Sequence, residues 1–180
     1  MDEEYHRPPN PRLAPQELVS ELLRALWQNS DPLPDSGFRL VLRCSTPQWK
    51  TALYNSVGAP ASANEEVVAS ALGDAMGRPH NQFAILCGED EQYCMNEYKA
   101  VFPTDPLDYS DGTCWLECHL RDKKDDSLFA ITGWQLQQRA SDGAWLVDRI
   151  DWQDFRGKTN RATSCEPRRP GWHMPHTVST

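Results

Sequence analysis

Residues 128–150 read LFAITGWQLQQRASDGAWLVDRI, and this stretch decides the fold class. Asp142–Gly143 is the strongest β-hairpin turn signal in the chain, and it lies between two segments rich in aromatic and branched residues. Along Cys114–Arg121, apolar side chains recur at every second residue, as in a strand with one buried face. The polar run Lys123–Asp126 predicts another tight turn before residue 128. The sequence therefore predicts three consecutive antiparallel strands, at 114–121, 128–139 and 145–152.

Helical patterns occupy the first part of the chain. An apolar stripe at helical spacing follows Pro15 and ends near Asn29, because a double-proline turn comes next. Pro47 is placed to start a further helical turn, and Asn64 is a suitable N-cap for a helix over 65–76. Residues 38–44 (FRLVLRC) are predicted as a strand or a short extended segment. The predicted fold class is α+β, with N-terminal helices packed on one face of a curved antiparallel sheet.

The charge of the chain is unevenly distributed. The 180 residues carry 18 Lys and Arg against 26 Asp and Glu, a net charge of −8. Residues 156–180 hold five basic residues and one acidic residue, +4, which leaves 13 basic and 25 acidic residues, −12, for 1–155. We therefore divide the chain into a Pro-rich lead-in (1–13), one domain (14–155) and a basic, Pro-containing tail (156–180).

Composition also restricts location and partners. No stretch approaches the roughly 18 apolar residues that a membrane-spanning helix needs. The acidic, Pro-rich N-terminus lacks the apolar region of a secretory signal. These features predict a soluble protein, cytoplasmic or, where a transit segment has been removed, plastid or mitochondrial. A pI of about 5.1 argues against nucleic acid as the partner.

The arrangement of elements resembles the NTF2-like superfamily, whose α+β domains form a cone. The residues that carry this resemblance are the hairpin at 128–150, the proline turn at Asp31–Gly37 and the step Cys44–Pro47. The last two resemble a branch of that superfamily, the DUF4864-type family of unknown function. The resemblance covers residues 14–155 and implies a fold with a pocket. It implies no particular reaction, because the superfamily includes isomerases, dehydratases, transport factors and non-catalytic subunits.

No metal, cofactor or nucleophile site is predicted. Cys114 and Cys118 would be about 13 Å apart along one strand, too far to share a zinc ion, and neither Cys87 nor Cys94 has a C-x₂-C partner. The chain lacks G-x-S-x-G and the phosphate-binding glycine motifs. We expect its six cysteines to be reduced and mostly buried.

Acid–base chemistry in an apolar pocket is the remaining catalytic possibility. The candidate acid–base residues are His119, Asp148, Asp151 and Tyr54. The candidate pocket residues are Trp49, Leu116, Trp134, Leu136 and Trp145. Alternation along 114–121 puts His119 on the wetter face of its strand, opposite an apolar set.

Two kinds of function remain open from the sequence. The first is a non-catalytic binding or scaffolding module that acts through its sheet face or cone pocket, as a homodimer or with a protein partner on the outer sheet face. The second is a carrier of an apolar small molecule, or an isomerase- or dehydratase-type enzyme. Binding of nucleic acid by the basic tail ranks last, because +4 is small against −12.

Overall fold

A computed structural model describes residues 9–31, 33–78, 81–87 and 97–154. Four α-helices come first in these ranges: α1 (Pro15–Trp27), α2 (Ser36–Arg43), α3 (Pro47–Ser56) and α4 (Glu65–Met76). A 3₁₀ helix follows at Gln82–Cys87. The strands are β1 (Tyr98–Val101), β2 (Leu107–Asp108), β3 (Thr113–Asp122), β4 (Leu128–Gln138) and β5 (Trp145–Asp154). The α+β class is confirmed; the basic tail and residues 1–8 of the lead-in lie outside the described residues.

The strands form one antiparallel sheet in the order β1-β3-β4-β5, with the short β2 paired beside β1 on the same edge of β3. The three predicted strands are confirmed, each longer or shorter than expected by one or two residues at its ends. Gly143 has a φ of 75°, which the tight β4–β5 turn requires and glycine adopts freely. In the same turn, the Arg139 guanidinium lowers the pKa of Asp142 to about 2.

Strand β3 shows why the helices cover one face of the sheet. Its core-side residues Cys114, Leu116, Cys118 and Leu120 are all at most 1% exposed. The residues between them point to the other face and are only partly buried. The helices contribute most of the remaining core, including Leu18, Val19, Leu22 and Leu23 of α1. The prediction of an apolar core face on this strand is confirmed.

Helix α4 forms as predicted, whereas the prediction for residues 38–44 is wrong. Asn64 Oδ1 accepts the Glu66 N–H at 2.9 Å and caps α4 at the expected residue. Residues 38–43 are helical, because Phe38, Val41 and Leu42 lie at helical spacing and are buried together. The same helical turn brings both arginines of α2 to α4.

The ion pairs of these two arginines with α4 favour a helical conformation of residues 38–43. Arg39 and Arg43 are four residues apart and therefore share one face of α2. Arg39 pairs with Glu66 at 2.7 Å and Arg43 pairs with Glu65 at 3.1 Å. As a strand, the segment would place the two arginines about 13 Å apart and could not present both to the start of α4.

A β-bulge in β5 changes which residues face the core. Gln135 is opposite Arg149 and Leu136 is opposite Val147, so Asp148 is an extra residue in the ladder. Before the bulge, odd-numbered residues such as Val147 face the core. After the bulge, even-numbered residues such as Ile150 face the core. The bulge therefore collects on one face the apolar residues that simple alternation divides between two faces: Trp145, Val147, Ile150 and Trp152.

Close approach of α1 and α2 depends on Gly37. A Cβ at this position would lie 2.3 Å from the carbonyl oxygen of Ala25, a backbone atom that cannot move aside alone. We predict that Gly37→Ala lowers the free energy of unfolding by about 1–3 kcal/mol, because the helices must separate. Urea denaturation measures this change.

Gly77→Ala is the matched control for that experiment. Gly77 is exposed at the end of α4 with a φ of −72°, which alanine adopts without strain. The free energy of unfolding of the Gly77→Ala variant should be within about 1 kcal/mol of the value for the unsubstituted chain, or higher. If Gly37→Ala and Gly77→Ala lowered the free energy of unfolding equally, the close approach of α1 and α2 at Gly37 would not be the cause.

Candidate functional site

Three of the five candidate pocket residues are packed inside the core. Leu116 and Leu136 are fully buried, and Trp134 is 1% exposed. The Trp134 indole N–H donates to Thr132 Oγ1 at 2.8 Å, and this hydroxyl donates to the Cys118 carbonyl at 3.1 Å. Trp49 and Trp145 are partly buried and pack against the same cluster. Hydrogen bonding thus fixes the largest side chain of the core in one orientation.

The candidate acid Asp148 is engaged with the start of α3. Its Oδ1 accepts the Thr46 hydroxyl at 2.8 Å, and Thr46 Oγ1, as the N-cap, in turn accepts the backbone N–H of Trp49 at 3.2 Å. Backbone bonds hold the same junction, because Thr46 N–H donates to Val147 O at 2.8 Å and Val147 N–H to Cys44 O at 2.7 Å. Asp148 therefore helps attach the helices to the edge of the sheet.

His119 and Asp151 lie on the outer face of the sheet, away from the helices. His119 Nε2 is 2.6 Å from Glu117 Oε1. Asp151 pairs with Arg149 at 3.3 Å, and both side chains are more than half exposed. Such exposed pairs contribute little to stability, typically about 0–1 kcal/mol.

The four candidate acid–base residues do not come together into one site. Tyr54 is buried within the helical layer on α3, with the Lys50 ammonium 5.9 Å from its ring centroid. Asp148 is at the sheet edge, and the other two are on the opposite face of the sheet. Catalysis by a pair of these groups would need atoms within hydrogen-bond reach of one substrate.

Three buried thiols are held protonated at neutral pH. Burial raises the pKa of Cys44 and of Cys118 to about 12, and that of Cys114 to about 11. Since the thiolate is the nucleophile and the metal ligand, these residues behave as small apolar side chains. Cys44, Cys114 and Cys118 are buried, in agreement with the expectation of burial, while Cys94 and Cys165 lie outside the described residues.

The outer sheet face carries an apolar surface that the sequence only partly indicated. Trp115 lies across Gly133 of the neighbouring strand, with the indole 3.0–3.3 Å from where a Cβ would be. Ile131 is partly exposed two residues away on β4. Leu107, the cross-strand partner of Trp115, is 54% exposed, and the nearby Tyr109 is 56% exposed. We call Trp115, Ile131, Gly133 and Leu107 the outer patch.

Two buried indole groups have no acceptor within the part of the chain that the structure describes. They are Trp49 Nε1 on α3 and Trp152 Nε1 on β5. Both rings pack against the core, and Trp152 also contacts Phe83 edge-to-face at 5.0 Å. A buried N–H without an acceptor is costly, so each of these two atoms marks a position where an added acceptor would stabilise the fold.

Neither a cluster of metal ligands nor a helix able to span a membrane occurs among the described residues. Across the described ranges, no group of three or more His, Cys, Asp or Glu side chains is arranged to hold a metal ion. Within those ranges, every helix falls short of the length and apolar character that crossing a bilayer requires.

Comparison of the chain with protein-family models, with curated proteins and with solved structures finds no match.

The Thr46–Asp148 contact gives a test of the junction between helices and sheet. Thr46→Val removes the cap of α3 and leaves the partly buried Asp148 carboxylate without this donor. We expect the free energy of unfolding to fall by about 1–3 kcal/mol in urea denaturation.

Two variants make this measurement specific. Thr46→Ser keeps the hydroxyl, so its free energy of unfolding should be within about 1 kcal/mol of the value for the unsubstituted chain. Thr51→Val removes a hydroxyl that donates to the Pro47 carbonyl on the exposed side of the same helix, and should change stability by about 0.5 kcal/mol at most. The structural role of Thr46 is refuted if Thr46→Val is no worse than Thr51→Val.

Proposed function

We propose that this chain is a non-catalytic binding module of the NTF2-like type, which pairs with a second copy of itself through the outer face of its sheet. The outer patch is the observation that carries the proposal. Its apolar surface lies on the face that the helices leave uncovered. Exposed apolar groups of this kind, rimmed by polar side chains, are typical of protein-binding surfaces.

The charges around the outer patch favour a second copy as the partner. Glu117 and Asp151 are close to His119 and Arg149 on the same face, so both signs of charge are interspersed. In a two-fold symmetric pair, each residue of one copy meets a different residue of the other, and mixed charges can then complement themselves. A partner of one dominant charge would be better matched by a face of the opposite charge.

The state of the candidate acid–base residues supports a non-catalytic role. Asp148 is bound to Thr46, Asp151 is exposed and paired with Arg149, and Tyr54 is buried among helices. An acid–base enzyme needs such groups converging on one substrate position. Binding through a surface needs no such convergence.

The mass of the full chain in solution tests this proposal. We expect sedimentation equilibrium to give twice the 20.5 kDa chain mass at high concentration. Ile131→Lys should shift the protein to a single chain, because it places a charge within the apolar part of the contact.

Val67→Lys is the control for the dimer experiment. Val67 is 62% exposed on α4, on the helical side of the molecule, and its substitution should leave the dimer intact. A single-chain mass at every concentration, or equal dissociation by both variants, would overturn the proposal. Circular dichroism should confirm that both variants keep the secondary structure of the parent chain.

A second candidate function is binding of an apolar small molecule, as a carrier or as an enzyme. The specific observation that favours it is that two indole N–H groups, of Trp49 on α3 and of Trp152 on β5, are buried without an acceptor among the described residues. A ligand with a carbonyl or ether oxygen would supply the missing acceptor, while the surrounding apolar side chains would hold its body. The core residues Leu116, Trp134 and Leu136 would then limit its size.

Native mass spectrometry distinguishes the two functions. We expect a carrier to show a reproducible excess mass that Trp49→Phe and Trp152→Phe reduce, since phenylalanine keeps an aromatic ring but has no N–H. Trp27→Phe, a substitution at a similarly half-buried tryptophan that packs against Tyr98, should leave the excess mass unchanged. A chain that carries no excess mass when purified without denaturation from its own source would contradict the carrier function.

A further inference from the structure

A groove lies between α1 and the residue that follows β1. Its volume is about 550 Å³, and it is open to solvent along one side. Leu13 and Phe102 supply apolar lining, and Glu17 and Glu21 supply two carboxyl groups one helical turn apart. Arg24 lines the same groove and offsets one of these two negative charges. Ser20 lies in the lining between the two acids. The groove therefore offers both an apolar contact and negative charge.

The chain beside this groove adds further negative charge. Residues 103–112 connect β1 to β3 and follow Phe102 directly. They contain Asp105, Asp108 and Asp111, all exposed, and no basic residue. A segment that binds here gains from positive charge and from a large apolar side chain.

Residues 156–180 of the same chain have the composition that this groove requires. They carry Arg156, Lys158, Arg161, Arg168 and Arg169 against a single acid, Glu166. They also contain Trp172, an aromatic residue able to cover apolar surface. Net charges of +4 for this segment and −12 for the rest of the chain complement one another.

The segment begins within reach of the groove. It follows the end of β5, three strands away from β1 in the sheet order. That separation is about 14 Å at about 4.8 Å per strand. Twenty-five residues can extend to about 80 Å, so reach does not limit the contact. Attachment to the same chain also raises the effective concentration of the segment to about the millimolar range.

We infer that residues 156–180 bind in the groove between α1 and Phe102 of their own chain, with arginines at Glu17 and Glu21 and Trp172 against Leu13 and Phe102. Because exposed ion pairs are individually weak, at about 0–1 kcal/mol, the aromatic contact is needed as well as the charges. Binding should weaken as salt screens the charges.

Amide chemical shifts measured by NMR on the full chain test this inference. We expect the amides of Gln16, Ser20 and Phe102 to shift between the full chain and a chain that ends at Gly157. Truncation there keeps every helix and strand that the structure describes. The same amides should move towards their truncated positions in Trp172→Ala and at high salt.

A matched pair of charge variants makes the test specific to the groove. Glu17→Gln with Glu21→Gln removes both acids, while glutamine at 17 can still accept the Ala14 N–H as the glutamate does at 2.7 Å. Asp31→Asn with Asp74→Asn makes the same change of charge at exposed positions elsewhere on the helical layer. Only the first pair should abolish the difference between full and truncated chains.

Three outcomes would overturn the inference. The first is that the groove amides are identical in the full and truncated chains. The second is that the shifts are confined to another surface. The third is that the shifts grow with protein concentration, which would mean that the segment binds a second copy. The first two outcomes leave the dimer proposal untouched, because that proposal depends on the opposite face of the sheet. The two proposals can therefore fail separately.

Discussion

The β-bulge at Asp148 is the constraint on which the arrangement of helices and sheet depends. One extra residue in β5 reverses the alternation of the strand, so that Trp145 and Val147 before it and Ile150 and Trp152 after it face the same core. The extra residue, Asp148, also makes a contact of its own, because its carboxylate accepts the Thr46 hydroxyl at the start of α3. Two backbone hydrogen bonds between Cys44–Thr46 and Val147 complete the junction. Packing of the core and attachment of the helices thus share one short segment.

The sequence predicts those elements whose signals are local. Helix α4 begins after an N-cap asparagine with two glutamates in its first turn, and its predicted bounds are those observed. Strand β3 alternates without interruption, so its core face follows from counting by two. The β4–β5 turn follows from Asp142–Gly143, because glycine adopts the positive φ that the turn needs. In each case the residues that decide the structure are neighbours in the chain.

Prediction from the sequence is wrong where contacts between residues far apart in the chain determine the local structure. Residues 38–44 fit both a helical and an alternating pattern, and contacts made far along the chain choose between them: Gly37 against Ala25, and two arginines against Glu65 and Glu66. The bulge is a partial exception. Apart from Leu146, the apolar residues of β5 change from odd to even numbers at Asp148, which is what an inserted residue produces. That change explains why neither face of the strand looks dry by simple alternation.

The candidate site residues show the same limit. Alternation correctly puts His119 on the outer face beside Glu117, but it does not reveal that Gly133 on the next strand leaves room for Trp115. Asp148 and Asp151 look equivalent by residue type and spacing. The bulge separates them, since one accepts a hydrogen bond from Thr46 and the other is exposed beside Arg149. A carboxylate on a strand is therefore informative only once the register of that strand is known.

The geometry of the sheet separates the two proposed contacts. At Val147, the far edge of β5 is occupied by the backbone of Cys44–Thr46, so this edge is not free to pair there with another chain. The outer patch lies on the uncovered face, whereas the groove is lined by α1 and lies on the helical side, near β1. A second copy on the outer face and the basic segment in the groove can therefore be bound together. Under the two proposals, the mixed charges of the outer face would complement a second copy, and the acidic groove would complement the basic segment.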